Sequence, residues 1–344
     1  MLIVKLGESM FHRSRLALCA FVTLLAVPLH AQSLAVWKDP SPHTVRFVAV
    51  DKRVRLEVLD WGGSGRPLIL LAGGGNTAHV FDDFALKLTP RYHVYGITRR
   101  GFGASGFSNP DHPADRLGDD VIAVMDALHL TKPILVGHSI AGVELSSVAN
   151  NHPNRAAGLI YLDAAYSYAF DNGNGSSVME MQKLQGPQPP PPSQTDLASF
   201  ASLEKYYERI NGFRFPEAEL RAQRESSPDG PVGEQRDPEG GALFMPLLSG
   251  EKKYTQIPLP SLIIFANPHG QGTWADTNTD PSIQAKAKAY SASLDSLTAK
   301  QMQSVKDAIP TAHVITLPGA HHYVFLSNKS DVLKAMDAFI TALH

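Results

Sequence analysis

Cysteine is almost missing from this chain of 344 residues: there is one, Cys19, and it lies inside the N-terminal apolar run. If that run is removed, what remains has no thiol and can form no disulfide, so its stability must come from a hydrophobic core. An excess of charge is lacking too. With 31 Lys and Arg against 33 Asp and Glu the net charge is -2, which gives no electrostatic reason to expect a nucleic-acid partner or an anionic membrane surface. The apolar run itself, Leu16 to Leu29, is 14 residues long, too short to cross a bilayer comfortably, so no stable membrane anchor is expected. No internal repeat is apparent, and no Gly-Lys-Ser/Thr follows the glycine cluster at Gly73, Gly74 and Gly75, which argues against a phosphate-binding loop.

What is present begins with that run. Lys5, Arg13 and Arg15 precede it and small Ala31 follows it, the layout of a secretory signal cut between Ala31 and Gln32. Met10 would give the more usual signal length. The expected location is therefore secreted or periplasmic. Cys19 is a poor lipidation site, because bulky Leu18 stands before it and little apolar sequence precedes it.

After the signal, short β-rich runs recur: "TVRFVAV", "VRLEVLDW", "PLILLAGGG", "YHVYGIT", "PILVGHS", "GLIYLDAA", "SLIIFA" and "HVITLP". From the third onward they are almost continuously apolar, as strands covered on both faces should be. Between them, Val121, Val124, Met125 and Leu128 fall on one face of a helix, and Val332, Leu333, Met336, Phe339, Ile340 and Leu343 on another. The alternation predicts an α/β architecture with a mostly parallel central sheet and helices on both faces. The rhythm breaks between "GLIYLDAA" and "SLIIFA". That stretch holds a Pro-rich segment, "QGPQPPPPSQTD", expected to be extended and exposed, and "LEKYYERINGFRFPEAELRAQRE", helical with a break near Gly212 and Pro216. The expected organisation is a signal at 1-31, a core over 32-163, a partly helical cap inserted after the sixth strand over 164-258, and the rest of the core over 259-344.

In "ILVGHSIAGVELSS" an apolar strand runs into Gly137, His138, Ser139, Ile140 and Ala141 and straight out into a helical pattern. A strand that reverses into a helix within two residues has no room for bulk on either side of the central one, and Gly137 and Ala141 are small as that turn requires. Ser139 would then stand exposed at the carboxyl end of the sheet, above unpaired N-H groups at the start of a helix. A small-x-Ser-x-small string is common, and a serine capping a helix is the bland alternative. Upstream, the Gly73 to Gly75 cluster is either a flexible turn or backbone that can approach a substrate carbonyl closely. "TRRGFGASG" reads as a turn whose Arg99 and Arg100 are solvated. Near the C-terminus "LPGAHHYVF" sets His321 and His322 just after the last strand, where a catalytic base would face the same rim as Ser139. Adjacent histidines make a poor metal site, since sequence neighbours point different ways.

Together "LLAGGGNTAHVFDDFA", "RRGFGAS", "GHSIAG" and "PGAHHYVF" resemble the α/β-hydrolase family, over roughly Val45 to the C-terminus apart from the insertion. The resemblance implies a nucleophile at Ser139, a histidine at His322 with His321 as runner-up, and an oxyanion hole from the Gly74 and Ile140 N-H groups, with no cofactor and no metal. Two departures stand out. Ala72 and Gly73 replace the His-Gly often found before the oxyanion loop, and His269 stands where the acid after the seventh strand usually lies. Asp163, ending the sixth strand, is the carboxylate that some members use instead; its other reading is a residue capping a turn, and Asp276 and Asp280 are the alternative acids. The string from Asp276 also starts like a calcium loop, but Pro281 replaces its sixth-position glycine and Ala287 its twelfth-position glutamate. The expected function is an exported serine hydrolase that cleaves a small-molecule ester through an acyl-enzyme. The competing expectation is a ligand-binding protein on a hydrolase scaffold. The oligomeric state is left open.

Overall fold

The computed structural model describes residues 37-226 and 231-343; the signal segment and its cleavage point lie outside them. Eight strands form one sheet: β1 (Thr44–Ala49), β2 (Arg55–Gly62), β3 (Pro67–Leu71), β4 (His93–Ile97), β5 (Ile134–His138), β6 (Gly158–Leu162), β7 (Ser261–Ala266) and β8 (His313–Leu317). Their order across the sheet is β1-β2-β4-β3-β5-β6-β7-β8. The β1–β2 and β2–β4 pairs are antiparallel and the rest are parallel. All eight runs expected from the sequence are strands, and the fold is the one the resemblance implied.

Alternation along the strands divides the core between two faces. In β3, Ile69 and Leu71 join the cluster under the helices Pro113–Ala127 and Gly142–Asn151, while Leu68 and Leu70 face the other way, toward the helices Asp82–Leu88 and Lys329–Ala342. Every residue of β5, β6 and β7 is buried. Burial of each large aliphatic side chain stabilises the fold by about 1.5–3 kcal/mol relative to exposure. Val121, Val124 and Met125 are buried as expected, with Leu128 at the end of their helix. That helix starts eight residues before Val121, because Pro113 at its first turn supplies a pre-set φ and lacks only an N–H that would be unpaired there anyway.

Between β6 and β7 lies the partly helical cap. Its helix Phe200–Asn211 ends on Gly212 at φ 83°, and Pro216 precedes the next helix, Glu217–Gln223, so the break falls where the sequence put it. Tyr206, Tyr207, Phe213 and Phe215 form an edge-to-face cluster inside the cap. One long element was not foreseen: the helix Pro281–Ala308, which starts on an Asp280 side chain accepting from Ser282 N and Ile283 N.

The strand order fixes where a ligand can sit. The chain leaves β3 for β4 on one side and returns to β5 on the other, so the loops after β3 and β5 diverge. They open a crevice at the carboxyl ends of these two central strands, the usual binding place in an open α/β sheet.

Candidate active site

Both loops at this crevice are built from small residues for a visible reason. Ser139 follows β5 at φ 53°, a left-handed conformation uncommon outside glycine. Such strain persists only where the surroundings over-determine it. A Cβ on Gly137 would lie 3.0 Å from Leu145 Cδ1 and 3.1 Å from the Ala141 carbonyl oxygen, so any larger residue there would push its neighbours aside by a few tenths of an ångström. Across the crevice, a Cβ on Gly73 would meet His138 Nδ1 at 2.6 Å and Ser139 Cβ at 3.2 Å. The loop after β3 thus lies directly against the strand-to-helix turn at Ser139, the elbow. Gly74 is beside Ile140, whose Cγ2 is 3.7 Å from where a Gly74 Cβ would be, and among the described residues the Gly74 N–H has no hydrogen-bond acceptor.

What holds this loop is the residue the sequence had suggested was solvated. Arg99 is 4% exposed and Arg100 1%, a correction that follows from their partners. Arg99 Nε and Nη2 donate to the two Glu144 carboxylate oxygens at 2.8 and 2.9 Å, while Nη2 and Nη1 also donate to the Ala72 and Gly73 carbonyls at 2.8 and 3.3 Å. Glu144 lies on the helix that follows Ser139. A planar guanidinium therefore ties the oxyanion-side loop to the elbow helix with four directed bonds, which a lysine could not do. Arg100 is matched in the same way by Asp120 and Asp51.

On the far side of the crevice, His322 Nδ1 donates to Asp163 Oδ2 at 2.6 Å. Asp163 is fully buried at φ 47° after β6. Its other oxygen accepts from Tyr166 Oη at 2.8 Å and from the Ala266 N–H at 3.0 Å. Burial alone would push this carboxyl up, but the His269 and His322 imidazoles facing it hold it well below the usual carboxylate range. Asp163 is the carboxylate that the structure brings to His322. Asp276 and Asp280 are exposed, the first accepting from Gln271 N at 3.4 Å and the second capping the long helix.

His269, after β7, does not replace the acid; it faces it. Its Nε2 stands 3.6 Å from Asp163 Oδ2 and its Nδ1 3.1 Å from Asp295 Oδ1 on the long helix. Burial lowers its pKa, but the two carboxylates outweigh this and raise it. Among the described residues His321, the runner-up base, contacts no carboxylate. It packs against Phe213 and Tyr323, and burial with the neighbouring His322 lowers it to about 4. His138 donates from Nε2 to the His322 carbonyl at 3.0 Å, joining the elbow to the histidine loop.

Ser139, His321 and His322 line one cavity of about 540 Å³ with Tyr166, Tyr168, Met181, Leu184, Tyr290 and Leu294. No Lys or Arg lines it among the described residues. The four cap aromatics Tyr206, Tyr207, Phe213 and Phe215 are not in its wall; they are cap core, and Phe213 and Phe215 pack on Tyr323. Sequence reasoning missed Glu144, Asp295 and Glu219. The last, on a cap helix, accepts from Asn76 Nδ2 at 2.8 Å and from Thr77 N at 3.1 Å, securing the far end of the loop that carries Gly74. The available signal for Glu144 was that it is the single charged residue in the helix Gly142–Asn151.

The comparisons agree with this architecture. A provisionally named carbamate hydrolase, RutD, of Caulobacter segnis is 36% identical over 110 residues, 31% of this chain and 41% of that protein. A non-heme haloperoxidase of Rhodococcus erythropolis is 32% identical over 120 residues, 34% of this chain and 43% of that protein. These alignments span about two-fifths of the relatives' length. Among solved structures, an E-2-(acetamidomethylene)succinate hydrolase superposes with TM-score 0.59 at 18% identity, covering 87% of this chain and all of the other. The carboxylesterase CesB of Bacillus subtilis gives 0.55 at 14% identity, covering 90% of this chain and 94% of the other; at these identities the likeness shows the fold. The model of the alpha/beta hydrolase family matches residues 68–335, and the chain belongs to that family.

Proposed function

We propose that this protein is an exported serine hydrolase that cleaves an uncharged small-molecule ester through Ser139, His322 and Asp163. The observation that carries the reading is a single cavity in which a serine on a strained strand-to-helix turn shares the wall with a histidine whose Nδ1 is bonded to a buried carboxylate. In the proposed reaction Ser139 Oγ attacks the ester carbonyl carbon while His322 Nε2 takes the hydroxyl proton. The Gly74 and Ile140 N–H groups stabilise the resulting oxyanion. The carbon-oxygen bond to the alcohol breaks as His322 returns the proton to it. Water, activated by the same histidine, then releases the acid and frees Ser139.

The cavity supports a neutral, largely apolar substrate. Its wall mixes Tyr166, Tyr168, Met181, Leu184 and Tyr290 with Gln182, Gln188 and Gln271. A succinate-type dianion, as named for one structural neighbour, would need a free cationic partner; among the described residues the wall has no Lys or Arg, and its His269 already faces Asp163 and Asp295. The relatives named for carbamate and amide chemistry make a carbamate or amide the second candidate, since the same attack serves either carbonyl.

A fluorophosphonate probe tests the reading, because it labels an activated serine and leaves an inert one alone. Labelling should occur on Ser139 and disappear in Ser139→Ala. The same variant should lose about three to four orders of magnitude in turnover of a neutral chromogenic ester with its melting temperature kept. A folded Ser139→Ala protein that retains most of the activity refutes the proposal, and so does a wild type that takes no label, which would leave a binding protein on this scaffold.

A further inference from the structure

Away from the crevice, the segment entering the sheet meets the helical turn that follows the Gly74 loop, and four side chains converge there. Asp39 and His43 come from the first and His79 and Asp82 from the second, each offering a ligand atom, all within 4.8 Å of one another. His79 Nδ1 lies 3.3 Å from Asp39 Oδ2 and 3.2 Å from Asp82 Oδ2, and His43 Nδ1 lies 3.3 Å from Asp82 Oδ1. Four ligands held about 2.0–2.1 Å from a tetrahedral zinc ion stand roughly 3.3 Å apart, so these three contacts have the length of such an edge, and one atom from each residue lies within 4.8 Å of the others.

A second observation separates this cluster from an ordinary set of ion pairs. The His43 side chain is 4% exposed, and its buried Nδ1, though 3.3 Å from Asp82 Oδ1 and aimed into the cluster, makes no well-aligned hydrogen bond among the described residues. An orphaned imidazole nitrogen aimed at carboxylates is costly unless something supplies the missing interaction. We propose that Asp39, His43, His79 and Asp82 form a binding site for one divalent transition-metal ion, zinc being the best fit, which clamps the segment before β1 to the helical turn after the oxyanion loop.

The chemistry of the set supports zinc over the hard cations. Two imidazoles with two carboxylates suit zinc or its neighbours in the first transition row, whereas calcium and magnesium prefer all-oxygen shells. With both imidazoles neutral, the two carboxylates balance the double charge of the ion in a mostly buried place. The surrounding groups hold the ligands in orientation. Trp61 Nε1 and Ser41 Oγ donate to Asp82 Oδ1 at 3.0 and 2.9 Å, Ser41 N donates to Asp39 Oδ1 at 2.8 Å, and Glu57 Oε1 stands 3.9 Å from the outer nitrogen of His79. A carboxylate behind a ligating histidine is the usual partner that fixes its ring. The ligand spacings, Asp-x3-His and His-x2-Asp, put each pair on one turn of chain, but nothing in the sequence relates position 43 to position 79.

The test uses untagged protein stripped with a chelator and dialysed against micromolar zinc sulfate near pH 7.5. One zinc per chain by mass spectrometry is expected. A rise in melting temperature of about 4 °C at a hundredfold excess over the dissociation constant should accompany it. X-ray absorption at the zinc edge should show two imidazole nitrogens with oxygen ligands. Asp39→Asn and His43→Ala should each lose the ion and the thermal shift while keeping the circular dichroism of the metal-free protein, and Ser139→Ala should bind zinc as the wild type does. Substoichiometric zinc in the wild type overturns the proposal. Retention of one zinc by both folded ligand variants overturns it as well, since the ion would then sit elsewhere. If one variant fails to fold, the other decides.

Discussion

Replacing Asp163 by Asn tests the proposed triad at the point where sequence was least decisive, and the structure says how the amide will sit. Asp163 Oδ1 accepts from Tyr166 Oη and the Ala266 N–H, both donors, so the carbonyl oxygen of Asn must stay there. The amide nitrogen is then forced toward His322 Nδ1, 2.6 Å from the atom it replaces. Facing a donor, the imidazole must turn Nδ1 into an acceptor and carry its proton on Nε2, where it can no longer take one from Ser139. The loss of the negative charge also removes the stabilisation of the imidazolium formed during attack. Together these effects should lower turnover by up to about 10⁴-fold, or roughly 5 kcal/mol of barrier. Stability should fall much less. Asn tolerates the left-handed φ of 47° at this position and keeps two of the hydrogen bonds, so a cost of about 1–3 kcal/mol is expected. Steady-state turnover of a chromogenic ester, read with thermal melts, separates the two effects. Asp276→Asn and Asp280→Asn, both at exposed positions, should stay within about threefold of wild type in turnover. An Asp163→Asn protein that melts earlier but turns over within tenfold of wild type, while either of the other variants is dead, would refute the reasoning.

Arg99→Met should cost about 3–5 kcal/mol, because Glu144 is left buried and uncompensated; adding Glu144→Leu should restore at least half of that in melting experiments, yet leave turnover low because the Ala72 and Gly73 carbonyls remain unheld. Full recovery of activity in the double variant would show that the pair does not position the loop. Glu219 is raised by burial to about 6 from 4.5. Since its folded-state pKa lies above the unfolded one, its contribution favours folding below about pH 4.5 and is lost as pH rises through about 6, by roughly 2 kcal/mol. Glu219→Gln should flatten that part of the stability profile, and an unchanged slope would discount the effect. Protein recovered from a secreting host should begin near Gln32 and carry no free thiol; recovery of exported chain still starting at Met1 or Met10 would argue against cleavage.

Strand positions were legible in the sequence because they depend on local patterning. A strand buried on both faces must be apolar throughout, and "PILV", "GLIYL" and "SLIIFA" cannot be covered on one side alone. The elbow was legible for a similar reason, since the sterics at Ser139 act within two residues of it. The break at Gly212 and Pro216 is local chemistry too. By contrast, the long helix Pro281–Ala308 has few buried residues, Thr298, Gln301, Ser304 and Val305 among them, so no apolar stripe announced it.

Whatever depended on partners distant in the chain had to wait for the tertiary structure. The pattern around Arg99 and Arg100 is that of a polar turn, and only the approach of Glu144, 45 residues away, and of Asp120 makes it a buried anchor. Of three candidate acids, only the parallel pairing of β6 with β7 and the return of the chain after β8 brings Asp163 within reach of His322, 159 residues apart. The four candidate metal ligands come from two segments that share no pattern until the sheet sets them side by side. Sequence by itself determined the elements, because hydrophobic periodicity and turn sterics act over a few residues; the charge pairings were decided by the fold, because a Coulomb interaction depends on distance in space and is indifferent to separation along the chain.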